Sequence, residues 1–142
     1  DSNLELEFSQ RRVQPLYEQL WHARYPNIAF VGLPYSIVPF PLFELQVEAV
    51  ERSWKHPNNV VLPLNERMRA AREAAESGGE CKGRCPDDTH YLGGPAQWEY
   101  CRRMAKYAGL LNETMENYLR TNQVGPNVCC PLFSYYRAAS DG

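Results

Sequence analysis

Two prolines one residue apart, Pro39 and Pro41, follow a short apolar run, Ile28 to Val31, that ends at Gly32. A strand, a glycine turn and a proline-marked helix start form a unit with chemical potential. The first turn of a helix carries backbone N–H groups without intrahelical partners, at the positive end of the helix dipole. Such an opening can bind an anionic or polar ligand. The residues expected to make that contact are Val38, Pro39, Phe40, Pro41 and Leu42, backed by an apolar wall of Ile37, Val38, Phe40 and Phe43.

The remaining reactive side chains are less organised. His22, His56 and His90 are scattered, and no serine or cysteine stands in a recognisable nucleophile setting. No residue is therefore assigned a catalytic role. Glu44, early in the helix, suits the helix dipole without further purpose. Cys81 and Cys85 are spaced C-x3-C in a glycine-flanked loop, Cys101 falls in a helix, and Cys129 and Cys130 are adjacent. A zinc site needs four ligands at recurrent spacing, and only His90 joins Cys81 and Cys85 nearby, so no metal is expected. A Cys81–Cys85 disulfide and free thiols remain the two alternatives.

Stepping through the elements that must hold these residues, Leu4, Leu6 and Phe8 alternate with Glu5 and Glu7 as in a half-buried strand. Residues 11–25 read as a connection with a short helical turn around Leu16 to Trp21. Ile28 to Val31 has no polar face and is expected to be a strand buried on both sides. A helix is predicted from Phe40 to about Lys55, with Phe43, Val47, Val50 and Trp54 as its periodic apolar stripe. A second helix, capped by Asn65, runs to about Glu76 with Met68, Ala71 and Ala75 on one face and Ser77-Gly78-Gly79 as its stop. A third begins at Pro95 with Ala96, Tyr100, Met104, Tyr107 and Leu111 at helical spacing. After Gly109 a last short helix spans about Asn112 to Thr121.

Composition narrows the function classes. With 44% hydrophobic and 12% aromatic residues among 142, the chain is no disordered tail. A net charge of −2 gives no electrostatic case for nucleic acid or an anionic membrane. No apolar run approaches the roughly 20 residues that span a bilayer. Asn112-Glu113-Thr114 fits a glycosylation sequon, read here as coincidence.

The wording of the central run is more specific than its pattern. Asn27 to Gln46 resembles the C-terminal part of flavin-containing monooxygenases, especially the plant and algal branch with the glucosinolate S-oxygenases. Arg12 to Tyr17 is similar to that family's Val-x-Pro-Leu-Tyr block, and Leu62-Pro63 with the charged helix after it to a Leu-Pro-Ser-Lys-Glu-Glu-Met block. Thr89 to Gly93 is similar to Thr-His-x-Leu-Gly, and Gln97 to Tyr100 to Gln-Phe-Glu-Tyr. Together the blocks cover roughly residues 12 to 110, in the family's order.

The resemblance implies an α/β flavoprotein with two dinucleotide-binding domains, glutathione-reductase-like, of which this chain supplies one buried strand and three or four helices. It implies FAD and NADP as cofactors and a soft sulfur or nitrogen centre as substrate. The residues named at the helix opening would face the flavin's pyrimidine edge. Both glycine-rich fingerprints of the family precede anything present here, and no Gly-x-Gly-x-x-Gly occurs in the chain. The chain is therefore expected to be the C-terminal third of a longer polypeptide. Residues 1–60 would end the FAD domain, and residues 61–142 would form a helical cap and tail. Its partners would be the rest of that polypeptide, a small-molecule substrate and other subunits of an assembly, in the cytoplasm. The alternative is a non-catalytic structural or interaction component derived from a monooxygenase.

Overall fold

The computed structural model describes residues 4–9, 12–76, 89–93 and 95–122. Its order is β1 (Glu7–Ser9), β2 (Arg12–Gln14), β3 (Leu16–Tyr17), β4 (Trp21–His22), α1 (Pro39–Lys55), α2 (Pro57–Val60), α3 (Leu64–Glu76), α4 (Ala96–Ala108) and α5 (Glu113–Asn122). The architecture is mixed α/β, with two small antiparallel sheets, β1–β2 and β3–β4. Phe8 pairs with Val13 in the first, and Tyr17 with Trp21 in the second. The Cys81, Cys85, Cys129 and Cys130 expectations lie outside the described residues, as does the Ser77 to Gly79 stop.

The segment around Leu16 to Trp21 is a hairpin where a helical turn was expected. The Leu20 N–H bonds to the Tyr17 carbonyl at 3.1 Å across Glu18 and Gln19, both with φ of +52°. Positive φ at both central residues defines the turn that suits a twisted two-stranded ribbon, and Asn-Gly is its usual sequence. Glu-Gln announces nothing of the kind. Tertiary bonds to Glu18, described below, hold the turn in place.

Ile28 to Val31 does not form the fully buried strand expected. Among the described residues it lies beside the two-residue β4 and the residue before it: the His22 N–H reaches the Ile28 carbonyl at 2.9 Å, and the Phe30 N–H reaches the Leu20 carbonyl at 2.7 Å. Trp21 and Ala29 make one isolated bridge. With no further strand beside it among the described residues, the run is half-buried and Val31 is exposed. Gly32 does turn the chain, at φ +90°.

The four longer helices fall where expected, within a residue or two, though α3 starts at Leu64, ahead of the expected Asn65 cap; the short α2 was not expected. The face that α1 buries is another matter. Leu42, Leu45, Gln46, Ala49, Val50 and Ser53 point inward, while Val47 and Trp54 of the expected stripe are 52% and 56% exposed. The inward face carries two polar residues, so a search for an unbroken apolar stripe finds Val50 and the core-packed Phe43 but adds the exposed Val47 and Trp54 in place of Leu42, Leu45, Gln46, Ala49 and Ser53. Both are satisfied: Ser53 accepts the Trp21 indole N–H at 3.1 Å and donates to the Val50 carbonyl at 2.7 Å.

Against this face α4 presents Trp98, Tyr100, Cys101, Met104 and Ala105. Met115 and Leu119 of α5, Ala71 of α3 and the hairpin's Tyr17, Leu20 and Trp21 complete one core. Trp21 sits against Tyr107 with ring centroids 5.3 Å apart, edge to face. Arg67 of α3 is buried and donates to the Ala23 carbonyl at 2.8 Å and to the Leu62 carbonyl, which fastens α3 to the chain after the hairpin. Gly109 ends α4 in the left-handed conformation at φ +74°, and the Leu110 N–H returns to the Ala105 carbonyl at 2.9 Å. Arg52 of α1 adds bonds to the Lys106 and Tyr107 carbonyls at 3.4 and 3.3 Å. Asn112 caps α5 through its side chain to the Met115 N–H at 2.9 Å.

Truncation separates the two faces of α1. Leu45→Ala, at a fully buried position, should cost about 2–5 kcal/mol in denaturant unfolding. Val47→Ala should stay within about 0.5 kcal/mol. Equal losses would mean that the inward face has been misassigned.

Candidate functional site

The opening of α1 is the candidate site. Val38 is the residue before the helix, at φ −84° and ψ 104°, with no side-chain cap of its own. Its N–H donates to the Gln97 side-chain carbonyl at 2.9 Å. Pro39 and Pro41 occupy the first and third helical positions and have no N–H at all. Phe40 is therefore the one first-turn residue whose backbone donor remains to be offered. Two prolines were expected to leave several N–H groups free; covalently, they remove two.

The five expected residues also divide by side chain. Pro39 and Phe40 are exposed, Phe40 to 64%, whereas Pro41 and Leu42 turn into the core. Phe40, Phe43 and Val47, with Glu44 and Glu48, line an open groove of about 450 Å³ beside the opening. One backbone donor, an exposed aromatic ring and an apolar groove suit a single acceptor oxygen on a flat, mostly apolar molecule. A phosphate would find too few donors, with the Glu44 carboxylate one turn along the helix.

The loop that leads to this opening is fastened at three points. The Gly32 N–H donates to the Gln46 side-chain carbonyl at 3.0 Å. The Tyr35 N–H reaches the His90 carbonyl at 3.0 Å, and the Leu92 N–H reaches the Tyr35 carbonyl at 3.2 Å. Val38 is held by Gln97. Gln46 extends the first of these inward: its amide donates to the Tyr100 hydroxyl at 2.8 Å, and that hydroxyl donates to the Glu18 carbonyl at 2.9 Å. The Glu18 carboxylate takes Arg103 at 3.0 Å on one oxygen and the Tyr107 hydroxyl at 3.2 Å on the other. Tyr107 also shares a short hydrogen bond with Tyr17.

His90 has a structural role. Its Nε2 accepts the Val13 N–H at 3.1 Å, so the proton sits on Nδ1, 3.3 Å from the Gln19 side-chain oxygen. His22 is the reverse tautomer: Nδ1 accepts the Arg24 and Tyr25 N–H groups at 3.2 Å each, and Nε2 donates to the Leu4 carbonyl at 2.8 Å. Both rings are committed to hydrogen bonds that hold the fold. No group of three potential metal ligands occurs among the described residues. No described helix is long and apolar enough to cross a membrane.

Sequence reasoning missed Glu18, Gln97, Tyr100, Arg103 and Tyr107, and left Gln46 without a role. A signal existed for two of them. Gln46 falls four residues after Leu42 on the buried face, where an amide must find partners. Tyr100 shares the inward face of α4 with Met104 and was placed there as apolar filling.

No protein-family model matches the chain, and no solved structure matches it. Curated proteins do. The chain is 34% identical over 101 residues to flavin-containing monooxygenase FMO GS-OX-like 2 of Arabidopsis thaliana, covering 70% of this chain and 21% of that protein. It is 31% identical over 117 residues to FMO GS-OX-like 4 of the same plant, covering 82% of this chain and 25% of that protein. FMO GS-OX5, also from Arabidopsis thaliana, is 35% identical over 98 residues, 68% of this chain and 21% of that protein. The chain thus spans a fifth to a quarter of the length of the relatives it matches.

Two measurements probe the network. Tyr100→Phe removes one hydroxyl but strips partners from both the Gln46 amide and the Glu18 carbonyl, and should cost about 1–3 kcal/mol of stability. The second is alkaline titration. Burial pushes the Cys101 thiol from 9.0 up to about 12. Burial also raises the Tyr17, Tyr100 and Tyr107 hydroxyls above 10.0, with the Glu18 carboxylate adding to each. All four are neutral in the fold and lose their protons sooner in the unfolded chain. Stability should therefore be intact below about pH 9 and fall above it, by about 1.4 kcal/mol per pH unit for each group engaged. Denaturation midpoints that stay flat to about pH 11 would contradict this; Cys101→Ala should remove the earliest part of the loss.

Proposed function

The chain belongs to the flavin-containing monooxygenases, and from that premise we propose that it completes the FAD domain of an FAD- and NADPH-dependent enzyme. The enzyme oxygenates a soft nucleophilic sulfur or nitrogen centre. In this reading the whole protein has the two dinucleotide-binding domains of a glutathione-reductase-like flavoprotein. Residues 1–60 close the FAD domain and residues 61–142 form its helical cap. Most of the binding of both FAD and NADP lies in sequence outside this chain, and the enzyme works in the cytoplasm. The likeness to the GS-OX relatives over more than two thirds of the chain carries the proposal.

The opening of α1 supports a place for the flavin. The Phe40 N–H stands at the positive end of the helix, and its position suits a carbonyl oxygen on the pyrimidine edge, where negative charge gathers on reduction. Phe40 and the groove along α1 supply an apolar wall that excludes water from that edge. The flavin, when bound, supplies the oxygen and electron chemistry. The residues here orient it and shield it, and none of them is assigned a proton-transfer step.

Phe40→Asp tests the placement in the whole monooxygenase. Phe40 is exposed, so the change spares the core. A carboxylate beside an edge that becomes electron-rich should weaken FAD retention or slow reduction by NADPH, by about 1–3 kcal/mol. Glu73→Gln, on the outer face of α3, should leave both unchanged. A Phe40→Asp protein that keeps its FAD and is reduced as fast as the parent would show that this opening does not touch the cofactor.

A further inference from the structure

The first turn of α1 has an unusual gap in its capping. In a common helix start the cap residue is Ser, Thr, Asp or Asn, and a Glu or Gln at the third helical position reaches back to the cap residue's N–H. Here the cap residue is Val38, whose side chain accepts nothing, and the third helical position is Pro41. Neither half of the reciprocal cap can form. The Val38 N–H is nevertheless satisfied, by a glutamine 59 residues later in the chain, in the first turn of α4.

Resting on the flavin reading above, we propose that Gln97 is a positioning residue for the cofactor: by accepting the Val38 N–H it holds the opening of α1 in register. The assignment of the amide is unambiguous, since a backbone N–H can bond only to the oxygen. Two further fastenings, Gln46 to Gly32 and Tyr35 to the backbone of His90 and Leu92, hold the same loop. Only the Gln97 bond lies adjacent to Phe40, the residue whose N–H remains available. Loss of this bond frees the two residues that precede Pro41, and the donor at Phe40 is then no longer fixed in place.

The test uses the whole flavin-loaded monooxygenase with three variants. Gln97→Met keeps the length of the side chain and removes the acceptor; Gln97→Glu keeps an acceptor oxygen; Phe40→Asp reports on the flavin reading itself. Two readouts avoid turnover: hydrogen exchange at the Val38 amide, and flavin dissociation followed by its visible absorbance. Gln97→Met should expose the Val38 amide and weaken flavin retention about three- to tenfold, the range of one net hydrogen bond. Gln97→Glu should restore amide protection and most of the retention. Should Gln97→Met fail to fold, Gln97→Asn makes the same comparison, its oxygen falling one methylene short.

Unchanged Val38 protection in Gln97→Met would overturn the proposal, as the bond would not exist. Lost protection with unchanged flavin retention, while Phe40→Asp releases flavin, would also overturn it and leave the flavin reading standing. If Phe40→Asp and Gln97→Met both leave the flavin untouched, the flavin reading fails and takes this proposal with it.

Discussion

The hydroxyl of Tyr100 joins three parts of the chain at one buried point. It accepts from Gln46 of α1 and donates to the Glu18 carbonyl in the hairpin turn, while its own ring lies in α4. Gln46, in turn, holds Gly32 with its other amide atom. A buried hydroxyl and a buried amide are costly without partners and rigid with them, so the network admits one geometry. Two residues with positive φ, Glu18 and Gln19, cost on the order of 1–2 kcal/mol each. Bonds to the Glu18 carbonyl and carboxylate offset that strain.

Helix positions were legible because their signals are local: prolines at the start of α1, Gly109 at the end of α4, and Asn112 ahead of α5. The inward face of α1 was not, because Gln46 and Ser53 interrupt it and Val47 and Trp54 complete a better-looking stripe on the outside. The hairpin at Leu16 to Trp21 was hidden for a different reason. Glu18-Gln19 carries no turn signature, and the groups that enforce the turn, Tyr100, Arg103 and Tyr107, are 82 to 89 residues away. The run from Ile28 to Val31 was read from composition alone; four apolar residues suit a buried strand but do not supply its neighbours.

At the candidate site the sequence located the helix opening and misjudged the groups it presents. Pro39 and Pro41 do open a helix. Yet they leave one first-turn donor where several were expected, and Pro41 and Leu42 pack inward. The family block from Gln97 to Tyr100 was recognised by its wording, without a reason for its residues. The structure supplies one: Gln97 and Tyr100, one turn apart on α4, reach the two ends of the loop from Gly32 to Val38, Tyr100 by way of Gln46.

The paired prolines at the mouth of α1 also have a meaning in terms of what the opening turns away. Specificity is usually ascribed to groups that are added. At this opening two are missing, since each pyrrolidine nitrogen lacks the amide hydrogen that an oxyanion would accept. Alanine in place of either ring would add a second backbone donor at a positive helix end, a better match to phosphate or sulfate. Keeping both rings leaves the opening stiff as well as sparing, with φ already set before anything arrives, so little freedom is left to lose on contact.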